Sequence, residues 1–486
     1  MTPLLRRPIL IGGLGLTFGT LALGSLDSTL SHWGGPIVWG TIALGSGLWW
    51  LQQRSTKLVD LPKLPLTPID RSAVDRAFAT VEQRIQQLSA EMGAENAETE
   101  APIVALRQQL TTLTQSLERQ QLQLSVMGGR AVGKSTISHL LQNHGLPTDA
   151  LDVQQAVSSE PIQSSPTEIQ DADVVLFLTT GDVTDSEFQT IQNLIAQRHR
   201  VLLLFNKQDQ YLPDDRPVIL QRLRQRVEGL LPTADVLGIS AQPAPVKVRQ
   251  VQADGSTQER LEHPVADIQA LQERLGHILT HETQQLVYAT VFRQSQALLR
   301  TVQTELNRVR RDRTLPVIEQ YQWIAAAATF ANPVSSLDLL ATATINAQLI
   351  MDLGAIYQQK FSLEQAKTIT GTLAGQMVKL GLVEVASQAI APLLKTHALT
   401  YVAGGLLQGI SAAYLTRVAG LSLVEYFEEQ SYLPEAERSG FQIDRLIQKI
   451  KSVFEDNGRS VFVQNLVKQG IERLVPRSGS VAPSQV

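Results

Sequence analysis

Residues 128–135 run Gly128-Gly129-Arg130-Ala131-Val132-Gly133-Lys134-Ser135 and satisfy G-x-x-x-x-G-K-[ST] at every fixed position. Each position has a chemical reason. The glycines let the backbone curl so that successive N–H groups converge on a phosphate. Lys134 has the length to reach β- and γ-phosphates, which makes it the residue placed to act on phosphoryl chemistry. The Ser135 hydroxyl is placed to ligate Mg²⁺, and Thr136 follows it into the first turn of a helix whose positive end faces the same point. The bland alternative is a glycine-rich turn between a strand and a helix.

A phosphate loop needs a strand in front of it and a helix behind it. Residues 122–127, LQLSVM, form an apolar run of strand length. Further apolar runs follow at 173–180, 200–205 and 235–239. Strands buried on both faces and separated by amphipathic helices predict a parallel α/β sheet. Ligands bind such sheets at the carboxyl ends of the strands. The 200–205 run ends in Asn206-Lys207-Gln208-Asp209, which is N-K-x-D. A carboxylate at the last position accepts from both N1–H and N2–H₂ of guanine; adenine offers no such donor pair. Asp209 would therefore select guanine, Asn206 would brace the site, and the stem of Lys207 would cover the base. After the 235–239 run, Ser240-Ala241 offers a backbone N–H to guanine O6.

With three motifs at three strand ends in this order, residues 122–282 resemble the small GTPases of the Era-like branch. The resemblance implies GTP and GDP as ligands, with Mg²⁺. It also implies a switch I threonine and a D-x-x-G after the first helix, and here the chain departs. Between Ser135 and Ala172 no D-x-x-G occurs. The nearest alignment puts Asp152 at the Mg²⁺-side aspartate and Gln155 where the γ-phosphate-sensing glycine stands. Thr148 is the one threonine before Asp152 on a short loop. Nucleotide binding is thus better marked than hydrolysis.

The rest of the chain bounds the setting. It has 486 residues, a net charge of −4 and no cysteine. Near-neutrality speaks against a nucleic-acid partner held by bulk charge, and the absence of cysteine removes disulfides and thiol chemistry. Residues 9–26 and 34–51 are apolar and uncharged, each near the minimum for crossing a hydrocarbon core. Arg6 and Arg7 precede the first, Arg54 and Lys57 follow the second, and the connector has no Lys or Arg. Residues 1–60 therefore predict a transmembrane helical hairpin with both ends, and the nucleotide domain, on the cytoplasmic side. That makes the chain a multi-pass membrane protein with lipid as a partner.

Residues 61–121 divide into a proline-rich linker and two helices. Val74, Phe78, Val81, Ile85, Leu88 and Met92 are spaced as a heptad seam, as are Ile103, Leu106, Leu110, Leu113 and Leu117. They predict an antiparallel coiled-coil hairpin, either a stalk that could pair two chains or a pair of helices packed on the next domain. Residues 283–475 read as an all-α domain, and 476–486 as a disordered tail. Its order and character resemble an uncharacterised helical domain found behind Era-like GTPases in bacteria. Gly371 and Gly375 form G-x-x-x-G, and Gly404, Gly405 and Gly409 lie on a later apolar helix; such spacing allows close helix contact. Each apolar stretch is short or carries an ionisable residue, which favours a membrane-associated bundle over a spanning one. Arg308, Arg310, Arg311 and Arg313 form a basic cluster, readable as an anionic-lipid contact or a solvated face. His277 and His281 share a helix face but have no third ligand nearby.

The fold read from sequence is an α/β P-loop sheet, with a transmembrane hairpin and stalk before it and helices after it. Two functions stay open. One is a membrane-anchored GTP-binding protein with slow or partner-stimulated GTPase activity, coupled to the helical domain and able to form homo-oligomers through it or the stalk. The other is a membrane scaffold whose G domain no longer turns over.

Overall fold

The computed structural model describes residues 69–93, 97–143, 151–155, 169, 171–251, 257–331, 338–395, 403–433, 440–457 and 460–474. All belong to one of two units, the one spanning Pro68–Val486. The expected transmembrane hairpin, the proline-rich linker as far as residue 68, Thr148 and the tail lie outside the described residues.

The nucleotide-domain sheet has five parallel strands in the order β2-β1-β3-β4-β5. These are β1 (Leu122–Gly128), β2 (Leu151–Gln155), β3 (Val174–Thr179), β4 (Arg200–Phe205) and β5 (Val236–Gly238). Every residue of β3 is buried, as continuous apolar runs demand when helices cover both faces. On one face pack Ile137 and Leu141 of α3 (Lys134–Asn143), with Leu271, Leu275 and Ile278 of α6 (Gln269–His281). On the other pack Ile191 and Leu194 of α4 (Asp185–Ala196) and Leu223 of α5 (Asp215–Arg226). An antiparallel hairpin, β6 (Val246–Val251) and β7 (Thr257–Glu262), leaves the sheet after β5.

The heptad seams are α1 (Arg71–Met92) and α2 (Ala97–Gln115). Asp70 caps α1 by accepting from Ala73 N–H at 2.9 Å. Their seam closes on a third helix: Val81, Ile85, Leu88, Ile103 and Leu106 pack with Leu298, Val302 and Leu306. The pair is thus packed against the body of the chain, the second of the two arrangements the spacing allowed, and its apolar seam is already covered.

That third helix, α7 (Thr283–Ala331), has 49 residues and a length of about 73 Å. Leu286, Val287 and Val291 belong to the sheet's core, the next turns meet α1 and α2, and Ile318, Trp323 and Ala326 enter the helical bundle. The bundle adds α8 (Asp338–Ile356), α9 (Leu363–Lys379), α10 (Leu382–Lys395), α11 (Ala403–Ser431), α12 (Ile443–Asn457) and α13 (Ser460–Leu474). Close approach of α7 and α11 depends on small residues, since a Cβ at Gly409 would lie 2.9 Å from the Ala326 carbonyl oxygen. Gly371 and Gly375 on α9 meet nothing within 4 Å, so that G-x-x-x-G is not a helix contact here. Among the described residues no single helix is long and apolar enough to cross a membrane; α9 and α10, bent by 67°, reach that composition together.

The arginine cluster is neither a free patch nor a uniform solvated face. Arg310 is buried and paired with Glu91 of α1 at 2.6 Å, Arg308 pairs with Glu305 at 2.9 Å, and Arg311 lies 3.4 Å from Glu428.

Candidate functional site

At the carboxyl end of the sheet β1 opens into the glycine loop. Gly128 has φ +142°, and a Cβ there would collide with the carbonyl oxygen of Leu178 in β3. Gly133, at φ +98°, would place a Cβ onto Nδ2 of Asn206. Both positions therefore exclude side chains for packing reasons as well as for backbone conformation. Lys134 folds back over the loop and donates to the carbonyl oxygens of Gly128 at 3.0 Å and Gly129 at 2.6 Å. Burial lowers its pKa, and among the described residues no carboxylate offsets that. A phosphate would supply the missing counter-charge.

Asn206, at the end of β4, holds two loops at once. Its Nδ2 donates to Val132 O at 2.7 Å and its Oδ1 accepts from Ala241 N–H at 3.0 Å. Lys207 follows at φ +60°, turning the chain into Gln208–Gln210. Asp209 N–H donates to Ser240 Oγ at 3.2 Å, and Asp209 Oδ2 accepts from Ala244 N–H at 3.1 Å. Asp209 Oδ1 is buried and has no hydrogen-bond partner within the protein. An orphaned buried carboxylate oxygen is costly unless something donates to it; Asp209 stands beside the cleft and is not part of its lining. Ser240 is pinned in turn by backbone bonds to Asp267 at 2.8 and 2.9 Å.

The result is a cleft of about 400 Å³ lined by residues 131–136, Asn206, Lys207, Gln210, Ala241 and Gln242. The size and mixed polarity fit a small-molecule site. The structure thus brings the phosphate loop, the N-K-x-D residues and Ser240-Ala241 to one end of the sheet. Arg130 is exposed at the loop's tip.

Asp152 is not brought there. The β1–β2 register sets it opposite Gln123, the second residue of β1. Gly128 lies five positions further on, about 16 Å at strand spacing. Asp152 therefore sits toward the opposite end of the sheet and cannot share a metal ion with Ser135. Gln155 stands opposite Val126, still short of the loop. Residues 156–168 lie outside the described residues. Among the described residues no group of three or more His, Asp or Glu could hold a metal. His277 and His281 stack at 4.5 Å without a third ligand.

Three polar residues of the site are not marked by the motifs. Gln210 and Gln242 directly follow N-K-x-D and Ser240-Ala241 and line the cleft. Glu187 completes a capping box with Thr184 at the start of α4, and its Oε1 lies so near Gly129 that a Cβ there would be 3.2 Å away. The T-x-x-E spacing at 184–187 signals a helix start, but not that this start abuts the phosphate loop.

A family model described as a domain of unknown function, DUF697, matches residues 293–452. The match begins inside α7 and ends inside α12, and so covers most of the bundle. Comparison with curated proteins gives no significant match. Among solved structures the chain is similar to "LeoA bacterial dynamin GTPase from ETEC", at 10% identity and a TM-score of 0.23, over 82% of this chain and 98% of that one. At that TM-score the likeness bears on neither fold nor function.

Proposed function

We propose that the chain is a guanine-nucleotide-binding protein, held at a membrane by residues 1–60, that couples nucleotide state to its helical region. The observation that carries this reading is one cleft that joins Lys134, without a counter-ion among the described residues, to Asn206 and Lys207 of N-K-x-D, with Asp209 on the same turn beside it. The phosphate loop and Lys134 would hold the di- or triphosphate. Asp209 would read the base, and Asn206 would keep the two halves in register. Ser135 fits a Mg²⁺ ligand accompanying the phosphates; its carboxylate counterpart is not Asp152. The likeness to Era-like GTPases supports GTP as the triphosphate. GTP hydrolysis, slow or stimulated by a partner, belongs to the same reading. The bound metal would neutralise phosphate charge, while the protein's own part is to orient the phosphates and exclude water.

The carrier of the coupling in this reading is α7. Its Arg293 donates to Ala172 O at 2.6 Å and to Arg198 O at 3.0 Å, while Gln294 donates to Asp171 at 2.6 Å. Asp171 and Ala172 lead into β3, and Arg198 leads into β4. A shift of β3 or β4 with nucleotide state would pull on a helix that extends into the bundle.

A second reading is a scaffold that binds nucleotide without turning it over. The position of Asp152 favours it, since the metal-side carboxylate that hydrolysis needs is not supplied there. The deciding test is full-length protein in detergent or nanodiscs, titrated with fluorescent GTP, GDP and ATP in Mg²⁺ and then assayed for phosphate release over many turnovers. Binding with turnover supports the first reading, and binding without turnover the second. Absence of binding contradicts both.

A further inference from the structure

The helical bundle holds a half-open cavity of about 580 Å³ among α7, α8, α9, α10 and α11. None of the residues that line it is ionisable. Its walls are aliphatic, with Leu349, Ile350, Leu373 and Leu415 prominent. Thr329, Thr370 and Gln408 interrupt them, as do two polar pairs. Thr416 Oγ1 donates to Asn346 Oδ1 at 3.4 Å, and Ser387 Oγ lies 3.4 Å from Ser411 Oγ. Both separations sit at the long limit for such bonds.

These facts narrow the occupant. A phosphate, nucleotide or metal ion would lose its hydration with no charged partner to replace it. Water needs several polar partners for each molecule, and most of this wall offers none. The volume lies within the range of small-molecule sites. An apolar, flexible ligand with one or two acceptor oxygens fits best.

The mouth indicates where such a ligand comes from. Val378 is 67% exposed and Val383 37%, and both belong to the lining as well as to the outer surface. Val385 beside them is also exposed. They flank the 67° corner between α9 and α10, the pair whose combined length and composition match a broken membrane span. The outer side of α9 adds Gly371 and Gly375, whose surroundings are open. The opening therefore faces outward at the α9–α10 corner, an apolar edge that also carries the exposed Lys379 and Glu384.

We propose that this cavity takes one acyl chain of a membrane lipid, admitted past Val378 and Val383. Carbonyl or hydroxyl oxygens of the lipid would be met by the Asn346–Thr416 and Ser387–Ser411 pairs. The proposal rests on the membrane part of the reading above and not on its nucleotide chemistry.

The test uses the full chain reconstituted in phosphatidylcholine vesicles that contain a phosphatidylcholine with a diazirine on its acyl chain. After irradiation, adducts are mapped by mass spectrometry. The expected result is labelling of peptides within 370–387 and 407–419. Ala412→Leu and Ala419→Leu, which fill the cavity from two separate positions, should each lose that labelling while adducts within 1–60 persist. A melting temperature at or above that of the parent protein shows that a filled variant is folded, and either variant alone suffices. Sedimentation with vesicles but labelling confined to 1–60, or labelling unaffected by both substitutions, overturns the cavity proposal alone. Failure to sediment with vesicles overturns it together with the membrane reading. Labelling by a diazirine fatty acid in vesicle-free buffer, but not by the phospholipid, also overturns it, because the ligand is then a soluble amphiphile.

Discussion

The buried carboxamide of Asn206 donates to the carbonyl oxygen of Val132 across 2.7 Å, joining the end of β4 to the phosphate loop through one side chain. The other end of the same carboxamide accepts from Ala241 N–H. Asn206→Ala removes both bonds and leaves a buried carbonyl and a buried amide unpaired, each costing about 1–3 kcal/mol. The variant should melt earlier than the parent and bind nucleotide more weakly, with GTP and GDP affected alike. Thermal melting and a fluorescent-nucleotide titration check both.

Gly133 faces the same carboxamide. Gly133→Ala requires a side chain at φ +98° and drives a Cβ onto Asn206 Nδ2. The expected outcome is loss of nucleotide binding with a fold cost of about 1–3 kcal/mol. Combining it with Asn206→Ala should recover part of the stability, because the clashing group is gone. Melting temperatures of the two single variants and the double variant measure this.

Two glycine sets in the bundle should respond in opposite directions. Gly371→Ala adds a methyl group to open space on α9 and should stabilise by about 0.5–1 kcal/mol through helix propensity. Gly409→Ala presses on the Ala326 carbonyl oxygen and should destabilise by about 1–3 kcal/mol. Denaturation of each variant in one detergent gives the comparison.

The ion pair between Arg310 and Glu91 joins α7 to α1, and Arg310 is almost fully buried. Its guanidinium also lies 5.7 Å from the centre of the Tyr357 ring. Removing one partner strands the other, at about 3–5 kcal/mol, whereas removing both costs less than the sum. Arg310→Met, Glu91→Gln and the double variant form the thermodynamic cycle that reads this coupling.

His199 gives the fold an acid sensitivity. Burial, then the nearby Arg293, pushes its pKa down to about 3, and neither ring nitrogen has a hydrogen-bond partner. The unfolded chain takes up this proton near pH 6.5, which the folded chain resists, so the unfolded state binds more protons between the two values. Stability from this residue is complete above pH 6.5 and is lost as pH falls toward 3. At pH 5 the loss is about 2 kcal/mol. His199→Phe should flatten the dependence of melting temperature on pH between 7 and 5, relative to the parent.

Much of this was legible in the sequence because the relevant constraints are local. Residues 128–135 carry their own geometry, and the 174–178 and 201–205 stretches are apolar throughout because both faces of β3 and β4 are covered. The heptad spacing of α1 and α2 was equally plain, but a seam does not name what closes it, and Leu298, Val302 and Leu306 lie far down the chain. Asp152 failed for a related reason. Alignment by motif order ignores register, and register places it five residues too early. Arg310 looked like part of a surface cluster because its partner, Glu91, is more than two hundred positions away. Glu187 was hidden in the same way, its cap being local and its approach to Gly129 tertiary.

The central claim is that Asp209 reads guanine, and base exchange tests it most directly. Asp209→Asn replaces the acceptor for N1–H and N2–H₂ with a carboxamide that can donate to the O2 of xanthine. Parent and variant, as full-length protein with Mg²⁺, are titrated with GTP, xanthosine triphosphate and ATP. The account predicts that the parent prefers GTP over both others by about tenfold or more, and that the variant loses GTP and gains xanthosine triphosphate. A parent that binds ATP as tightly as GTP, or a variant whose base preference is unchanged, contradicts it.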